Sequence, residues 1–198
     1  MSRAVVIVPT GTANLASVRA ALRRLGVEPE IGGEPARIRD AGHVVLPGVG
    51  TFAAAMARLR ASGADRALRE RIARDRPTLC VCVGHQLLFR ESEESPGIPG
   101  LGIVDAAVRR FPAAVRTPQF GWNEVEAGED GGLLASGWAY FANSYRAVEA
   151  PGFRTALADH GGPFIAAIER GGLIGCQFHP ELSGTYGAAL LARFLELR

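Results

Sequence analysis

The 198-residue sequence predicts one α/β domain with a mostly parallel central sheet, helices on both faces, and antiparallel hairpins in its C-terminal half. Three observations carry this. The N-terminal half alternates fully apolar, β-branched runs with segments of helical period, the pattern of strands buried on both faces. From Gly100 onward, short alternating runs are punctuated by Gly-Gly pairs, so hairpins replace crossovers. Hydrophobic residues make up 47% of the chain and charged residues 21%, a balance that closes a core and excludes a disordered or fibrous chain.

Ala4–Pro9 (AVVIVP) reads as the first strand, followed by the loop Thr10–Asn14 and a helix from Leu15 to Leu25. That helix carries Leu15, Val18, Leu22 and Leu25 on one face, and Gly26 stands where a left-handed cap is wanted. A second strand (Val27–Ile31), a short helix near Ala36–Ala41 and a third strand (Val44–Leu46) follow. Ala64–Arg74 reads as a helix with Ala64, Ala67, Leu68 and Ile72 turned inward and Asp65 near its N-terminus, where the helix dipole favours an acid. Arg58, Arg60, Arg66, Arg69, Arg71, Arg74 and Arg76 crowd its other side, which reads as a solvated face, with a partner surface as the alternative. Thr78–Val83 (TLCVCV) is a buried strand, and Gly84–Phe89 starts a helix. The later runs are Gly102–Phe111, Trp122–Val125, Ala139–Val148, Thr155–Asp159, Ile165–Glu169 and Leu173–Phe178. Gly pairs at 131–132, 161–162 and 171–172 punctuate them, and a helix over Thr185–Leu197 closes the domain.

The formal net charge of +2 is too near balance for nucleic-acid or membrane-surface binding, so small-molecule chemistry is expected. Every basic residue is Arg, which removes Schiff-base catalysis, lysine-anchored pyridoxal phosphate and the Walker lysine. Three cysteines, Cys80, Cys82 and Cys176, form no disulfide framework and suit a reducing compartment. With no apolar span of about 18 residues and an apolar start too short for a secretory signal, a cytoplasmic protein is expected.

Open α/β sheets hold ligands beyond the carboxyl ends of their strands, which directs attention to Cys82. A cysteine in the tight turn between an apolar strand and a helix has its sulfur pushed out of the sheet. The helix N-terminus favours the thiolate, and the Val83 amide is placed to donate to an oxyanion. Gly84 relieves the crowded turn on one side, whereas Cys80 on the other implies some crowding and reads as an ordinary buried thiol. His179 ends the apolar run Leu173–Phe178, and in an extended chain Glu181, two residues on, reaches back to hold its imidazole as a base. His43, His85 and His160 are left structural or solvent-exposed, with His85 set apart because it adjoins the elbow. Gly48 and Val49, after the third strand, offer a second oxyanion donor, against the plainer reading of a turn. Cys80-x-Cys82 with Cys176-x-x-His179 has the ligand count of a zinc site. The one-residue spacing and the strand position of Cys176 argue against it, so no metal is assigned.

The segments Leu46–Phe52 (LPGVGTF), Cys80–Phe89 (CVCVGHQLLF), Thr117–Asn123 (TPQFGWN), Tyr140–Tyr145 (YFANSY) and Gly175–Gly184 (GCQFHPELSG) resemble the motif series of class I (triad) glutamine amidotransferases. They are most similar to those of the glutaminase subunits of imidazole glycerol phosphate synthases, as are Gly11–Val18 and Gly100–Phe111. The resemblance implies a flavodoxin-like glutamine amidotransferase domain over residues 1–198, which hydrolyses L-glutamine to glutamate and ammonia. It further implies a heterodimer with a (β/α)₈-barrel cyclase subunit, which receives the ammonia for histidine biosynthesis. By this likeness Cys82 is the nucleophile, His179 shuttles the proton and Glu181 orients it. Gly48, Val49 and Val83 line the oxyanion hole, Gln86, Tyr140 and Ser144 hold glutamine, and no metal or organic cofactor is needed. The sequence departs from the family at Pro9, Cys80, His85, Asn143 and Leu182, where Asp, Gly, Met, His and Lys are usual. Asn143 and Leu182 bear on the partner rather than the triad, and the alternative they raise is a paralogue serving a different synthase.

Overall fold

The apolar run near the N-terminus forms strand β1 (Val5–Ile7) in a computed structural model that describes residues 4–11, 14–128 and 132–198. Thr12 and Ala13 of the first loop, and Gly131 of the first Gly pair, lie outside the described residues. Helix α1 (Leu15–Arg24) is capped by Asn14, whose Oδ1 accepts the Ser17 N–H at 3.3 Å, and Gly26 adopts the left-handed conformation past its end. Strand β2 shrinks to Glu30–Ile31, both exposed at the sheet edge. Helix α2 (Pro35–Asp40) and strand β3 (His43–Gly48) follow.

A helix that the sequence pattern does not set apart, α3 (Phe52–Ser62), precedes α4 (Ala64–Ala73). Its signal is nonetheless present. Phe52, Ala55, Met56 and Leu59 are buried at helical spacing, Thr51 Oγ1 accepts the Ala54 N–H, and Gly63 ends the helix in a left-handed cap. The expected single basic face is therefore divided between two helices. Arg71 is not solvated at all: it is fully buried, donating to Thr78 Oγ1 and to the carbonyls of Ile38, Ala41, Gly42 and Pro77. Arg60 and Arg69 reach carbonyls of the segment 99–101 instead of solvent alone.

Strand β4 (Thr78–Cys82) leads into α5 (Val83–Gln86), a single turn rather than the longer helix expected. The N–H groups of Leu101 and Ile103 capture the Leu87 and Leu88 carbonyls, so the chain leaves the helix and starts β5 (Phe89–Ser92). The remaining strands are β6 (Val104–Arg110), β7 (Gln119–Ala127), β8 (Gly137–Asn143), β9 (Tyr145–Ala147), β10 (Arg154–Asp159), β11 (Pro163–Arg170) and β12 (Leu173–Cys176). The run Ala139–Val148 thus breaks at Ser144 into two strands that serve different sheets. A 3₁₀ turn (Pro180–Leu182) and helix α6 (Gly184–Glu196) complete the chain.

The main sheet has the order β2-β1-β3-β4-β12-β11-β10-β7-β8. Pairing is parallel from β2 to β12 and antiparallel from β12 to β8. The hairpins at Gly161-Gly162 and Gly171-Gly172 form as expected, with both pairs' glycines near a reversal of the chain. A smaller sheet joins β5, β6 and β9. Helices α2, α3 and α4 pack as one group, and α1 and α6 as another around the 3₁₀ turn. Among the described residues, no helix is long and apolar enough to cross a membrane. For the site, the decisive placement is β12. The last strand in sequence lies directly beside β4, pairing Gly175 with Cys80 and Cys176 with Val81.

Candidate active site

Cys82 ends β4 with φ 54° and ψ −112°, a conformation that a side chain adopts only at a cost of about 1–3 kcal/mol. The glycines around it explain how the turn is held. A Cβ at Gly84 would overlap the Leu46 carbonyl oxygen, so α5 can rest on β3 only with glycine there. Gly48 pairs with Cys82 across β3 and β4, and a Cβ on it would lie 2.9 Å from the Gly84 nitrogen. The strained cysteine therefore sits between the carboxyl end of β3 and the start of α5, with Gly48–Val49 on one side and Val83 on the other. Cys80 is fully buried between β3 and β12, its carbonyl accepting the Cys176 thiol at 3.8 Å. Burial pushes both of these thiols up, away from ionisation.

His179 follows the carboxyl end of β12. Its N–H donates to the Tyr140 carbonyl at 2.9 Å. Ser183 Oγ donates to the His179 carbonyl at 2.6 Å and accepts the Tyr140 N–H at 2.9 Å, which ties the histidine to β8. The backbone that carries Glu181 is a 3₁₀ turn, not the extended chain expected, yet Glu181 Oε1 still reaches His179 Nδ1 at 2.9 Å. With Nδ1 engaged, Nε2 is left for the Cys82 sulfur. Burial pushes the imidazole down, but the Cys82 sulfur and the Glu181 carboxylate beside it outweigh that, and the ring is pushed up to about 10.

Gln86 is buried, and its Nε2 donates both to the Tyr145 carbonyl (3.2 Å) and to Gln177 Oε1 (2.9 Å). Gln177, not among the residues expected at the site, is fully buried with Nε2 3.8 Å from the Cys82 sulfur. Its signal in the sequence is a polar residue inside an apolar run, two positions before His179. Tyr140 serves the site through its backbone, while its ring packs edge-on against Phe120 and Trp122. Ser144 lies between β8 and β9, with its carbonyl accepting the Phe111 N–H at 3.2 Å.

The other histidines stay apart from this group. His43 is buried against Phe194, and His160 binds the Arg116 carbonyl. His85 is fully buried with neither ring nitrogen partnered among the described residues, and burial pushes it down to about 3. Among the described residues no group of three or more His, Cys, Asp or Glu side chains could hold a metal ion. Asn143 is buried, its Nδ2 donating to the Tyr145 carbonyl, whereas Leu182 is exposed. Beside the site, Phe120, Trp122 and Trp138 are each more than half exposed. The β7–β8 register pairs Trp122 with Tyr140 and Glu124 with Trp138, so these aromatics share one face of the ribbon, an apolar patch that the alternation of the sequence does not single out.

A family model described as "Glutamine amidotransferase class-I" matches residues 6–197. A protein of Symbiobacterium thermophilum named imidazole glycerol phosphate synthase subunit HisH is 43% identical over 195 residues, covering 96% of this chain and 92% of that protein. The Arabidopsis thaliana protein named imidazole glycerol phosphate synthase hisHF, chloroplastic, is 40% identical over 199 residues, which is 96% of this chain but 34% of that longer protein. A solved structure described as a glutamine amidotransferase superposes with a TM-score of 0.78 at 24% identity, covering 96% of this chain and 97% of its own. A glutamine amidotransferase from Thermotoga maritima superposes with a TM-score of 0.68 at 14% identity, covering 99% of this chain and 100% of its own.

Proposed function

This chain belongs to the class-I glutamine amidotransferases, and from that premise we propose that it hydrolyses L-glutamine to glutamate and ammonia as the glutaminase subunit of an imidazole glycerol phosphate synthase. The observation that carries the reading is the adjacency of β4 and β12, which joins the strained Cys82 to the His179–Glu181 pair.

The chemistry follows from these groups. The Cys82 sulfur attacks the side-chain amide carbon of glutamine, and the carbonyl oxygen becomes an oxyanion facing the backbone of Gly48, Val49 and Val83. His179, as the imidazolium, gives its proton to the departing nitrogen, which leaves as ammonia when the C–N bond breaks. A thioester remains. Neutral His179 then removes a proton from water, whose oxygen attacks the thioester carbon, and glutamate departs as the C–S bond breaks. The imidazole keeps that proton and so regains its cationic form, the carboxylic acid product gives its own proton to water, and Glu181 steadies the ring throughout. Gln86, Tyr140 and Ser144 hold the glutamine. The scheme uses side chains and backbone only and calls for no cofactor.

The ammonia goes to a (β/α)₈-barrel cyclase subunit in a heterodimer. Support for a synthase partner comes from the relatives' names, which make them parts of an imidazole glycerol phosphate synthase, and from the exposed aromatic face of β7–β8, whose Phe and Trp side chains suit a protein interface. The three free cysteines suit the cytoplasm.

Mixing the protein with the cyclase subunit of the Symbiobacterium synthase and measuring glutamate release tests both parts. Glutamine hydrolysis that rises with the cyclase and its nucleotide substrate, and falls at least about 10³-fold in Cys82→Ala, is expected. Equal hydrolysis by Cys82→Ala would defeat the assignment of the nucleophile. Cys82-dependent hydrolysis that no cyclase stimulates would point to a different synthase, with Asn143 and Leu182 as the first residues to exchange.

A further inference from the structure

The buried carboxamides of Gln86 and Gln177 form a chain of hydrogen bonds whose direction is fixed at one end. A backbone carbonyl can only accept, so the Gln86 group 3.2 Å from the Tyr145 oxygen must be its NH₂. The same nitrogen lies 2.9 Å from the Gln177 carboxamide, so the atom it meets must be Oε1. That leaves the Gln177 NH₂ turned toward Cys82, with Nε2 3.8 Å from the sulfur. Asn143 Nδ2 reaches the same Tyr145 carbonyl at 3.0 Å and fixes its position. Gln177 has no freedom to turn away: it is fully buried, and its own N–H donates to the Ala166 carbonyl at 2.8 Å, extending the β11–β12 pairing.

We propose that Gln177 is a further catalytic residue, whose side-chain N–H holds the Cys82 sulfur in its attacking position and stabilises it as the thiolate, with Gln86 as the positioning residue that sets the orientation of that N–H. The proposal rests on the reading of Cys82 as nucleophile and adds a donor to it. A sulfur anion accepts a hydrogen bond more strongly than a thiol does, so an N–H fixed in advance favours the charged form. When the thioester collapses and sulfur leaves, the same N–H receives the returning charge. An imidazolium on one side and an amide donor on the other then define where the sulfur rests.

Alkylation of Cys82 by iodoacetamide, followed by the mass of its peptide, reads the thiolate without requiring glutamine turnover. At pH 7 Gln177→Met, which keeps the length and removes the N–H, is expected to slow alkylation about tenfold, as for one hydrogen bond to a charged group. Gln177→Glu keeps an acceptor for Gln86 but sets a carboxylate beside the sulfur, and slows alkylation further. Gln86→Met releases the Gln177 carboxamide and falls between the parent and Gln177→Met. A folded Gln177→Met protein alkylated at the parent rate at pH 7 overturns the proposal. If that variant does not fold, parent rates in Gln177→Glu and Gln86→Met overturn it equally. Slow alkylation in the glutamine variants, together with undiminished glutamine hydrolysis by Cys82→Ala, would sustain the hydrogen bond while removing the nucleophile.

Discussion

Gly84 rests against the backbone of Leu46 so closely that a Cβ at position 84 would overlap the Leu46 carbonyl oxygen and lie 3.1 Å from the carbonyl carbon. The neighbour is main chain of a central strand and cannot rotate aside. Gly84→Ala is therefore expected to lose about 3 kcal/mol of stability, or a fall in Tm of roughly 6–12 °C. Gly26→Ala is the control: among the described residues, chain neighbours aside, nothing lies within 4 Å of the added Cβ, but φ is 78°, so only the backbone cost of about 1–2 kcal/mol should appear. Calorimetry of both variants checks the ordering, and equal losses would show that crowding at the elbow is not what position 84 resists.

The ion pair of His179 and Glu181 predicts a pH signature. The folded imidazole is pushed up from its ordinary 6.5 to about 10 although burial alone lowers it, because Cys82 and Glu181 act in the other direction. A group raised on folding contributes stability that is complete below pH 6.5 and is lost as pH rises through about 10. Glu181→Gln removes part of that contribution. The gap in unfolding free energy between parent and variant should be widest below pH 6.5 and close by about pH 10, as urea titrations at a series of pH values would read. Glutaminase kcat should fall about 10²-fold, since the imidazole loses its orienting carboxylate.

His85 has the opposite sign. Burial pushes it down to about 3, and both ring nitrogens lack partners within the core beside Phe89. His85→Met replaces two unsatisfied polar atoms by a flexible apolar chain and should raise stability by about 1–2 kcal/mol at pH 7. A group lowered on folding contributes a penalty that grows as pH falls below the unfolded value of 6.5 and levels off near 3. The advantage of His85→Met should thus widen between pH 6.5 and 4, by up to about 1.4 kcal/mol per pH unit. A constant difference across that range would mean the histidine is not held neutral by burial.

Most elements are legible in the sequence because each writes its period locally. The apolar runs become β1, β3, β4 and β12, and the Gly-Gly pairs at 161–162 and 171–172 become hairpins. Two departures fall in and just before the arginine-rich stretch. Alanines on every side of α3 blur its apolar face, and nothing local reveals the ring of carbonyls that encloses Arg71 and takes it out of solvent. The elbow at Cys82 and the His179–Glu181 pair can be anticipated, since a strand followed at once by a helix makes a tight turn and two residues of separation keep the pair in reach whether the backbone is extended or a 3₁₀ turn.

The sequence by itself determined the elements and the two short constellations, each of which closes within a few residues. Only the tertiary structure decided that they meet. Strand order is set by which apolar faces cover one another across the whole domain, and the period of a strand says nothing about its neighbour. The placement of β12 between β4 and β11 brings residues 177 and 179 to residue 82, and it fixes through the Tyr145 carbonyl which end of Gln177 faces the sulfur.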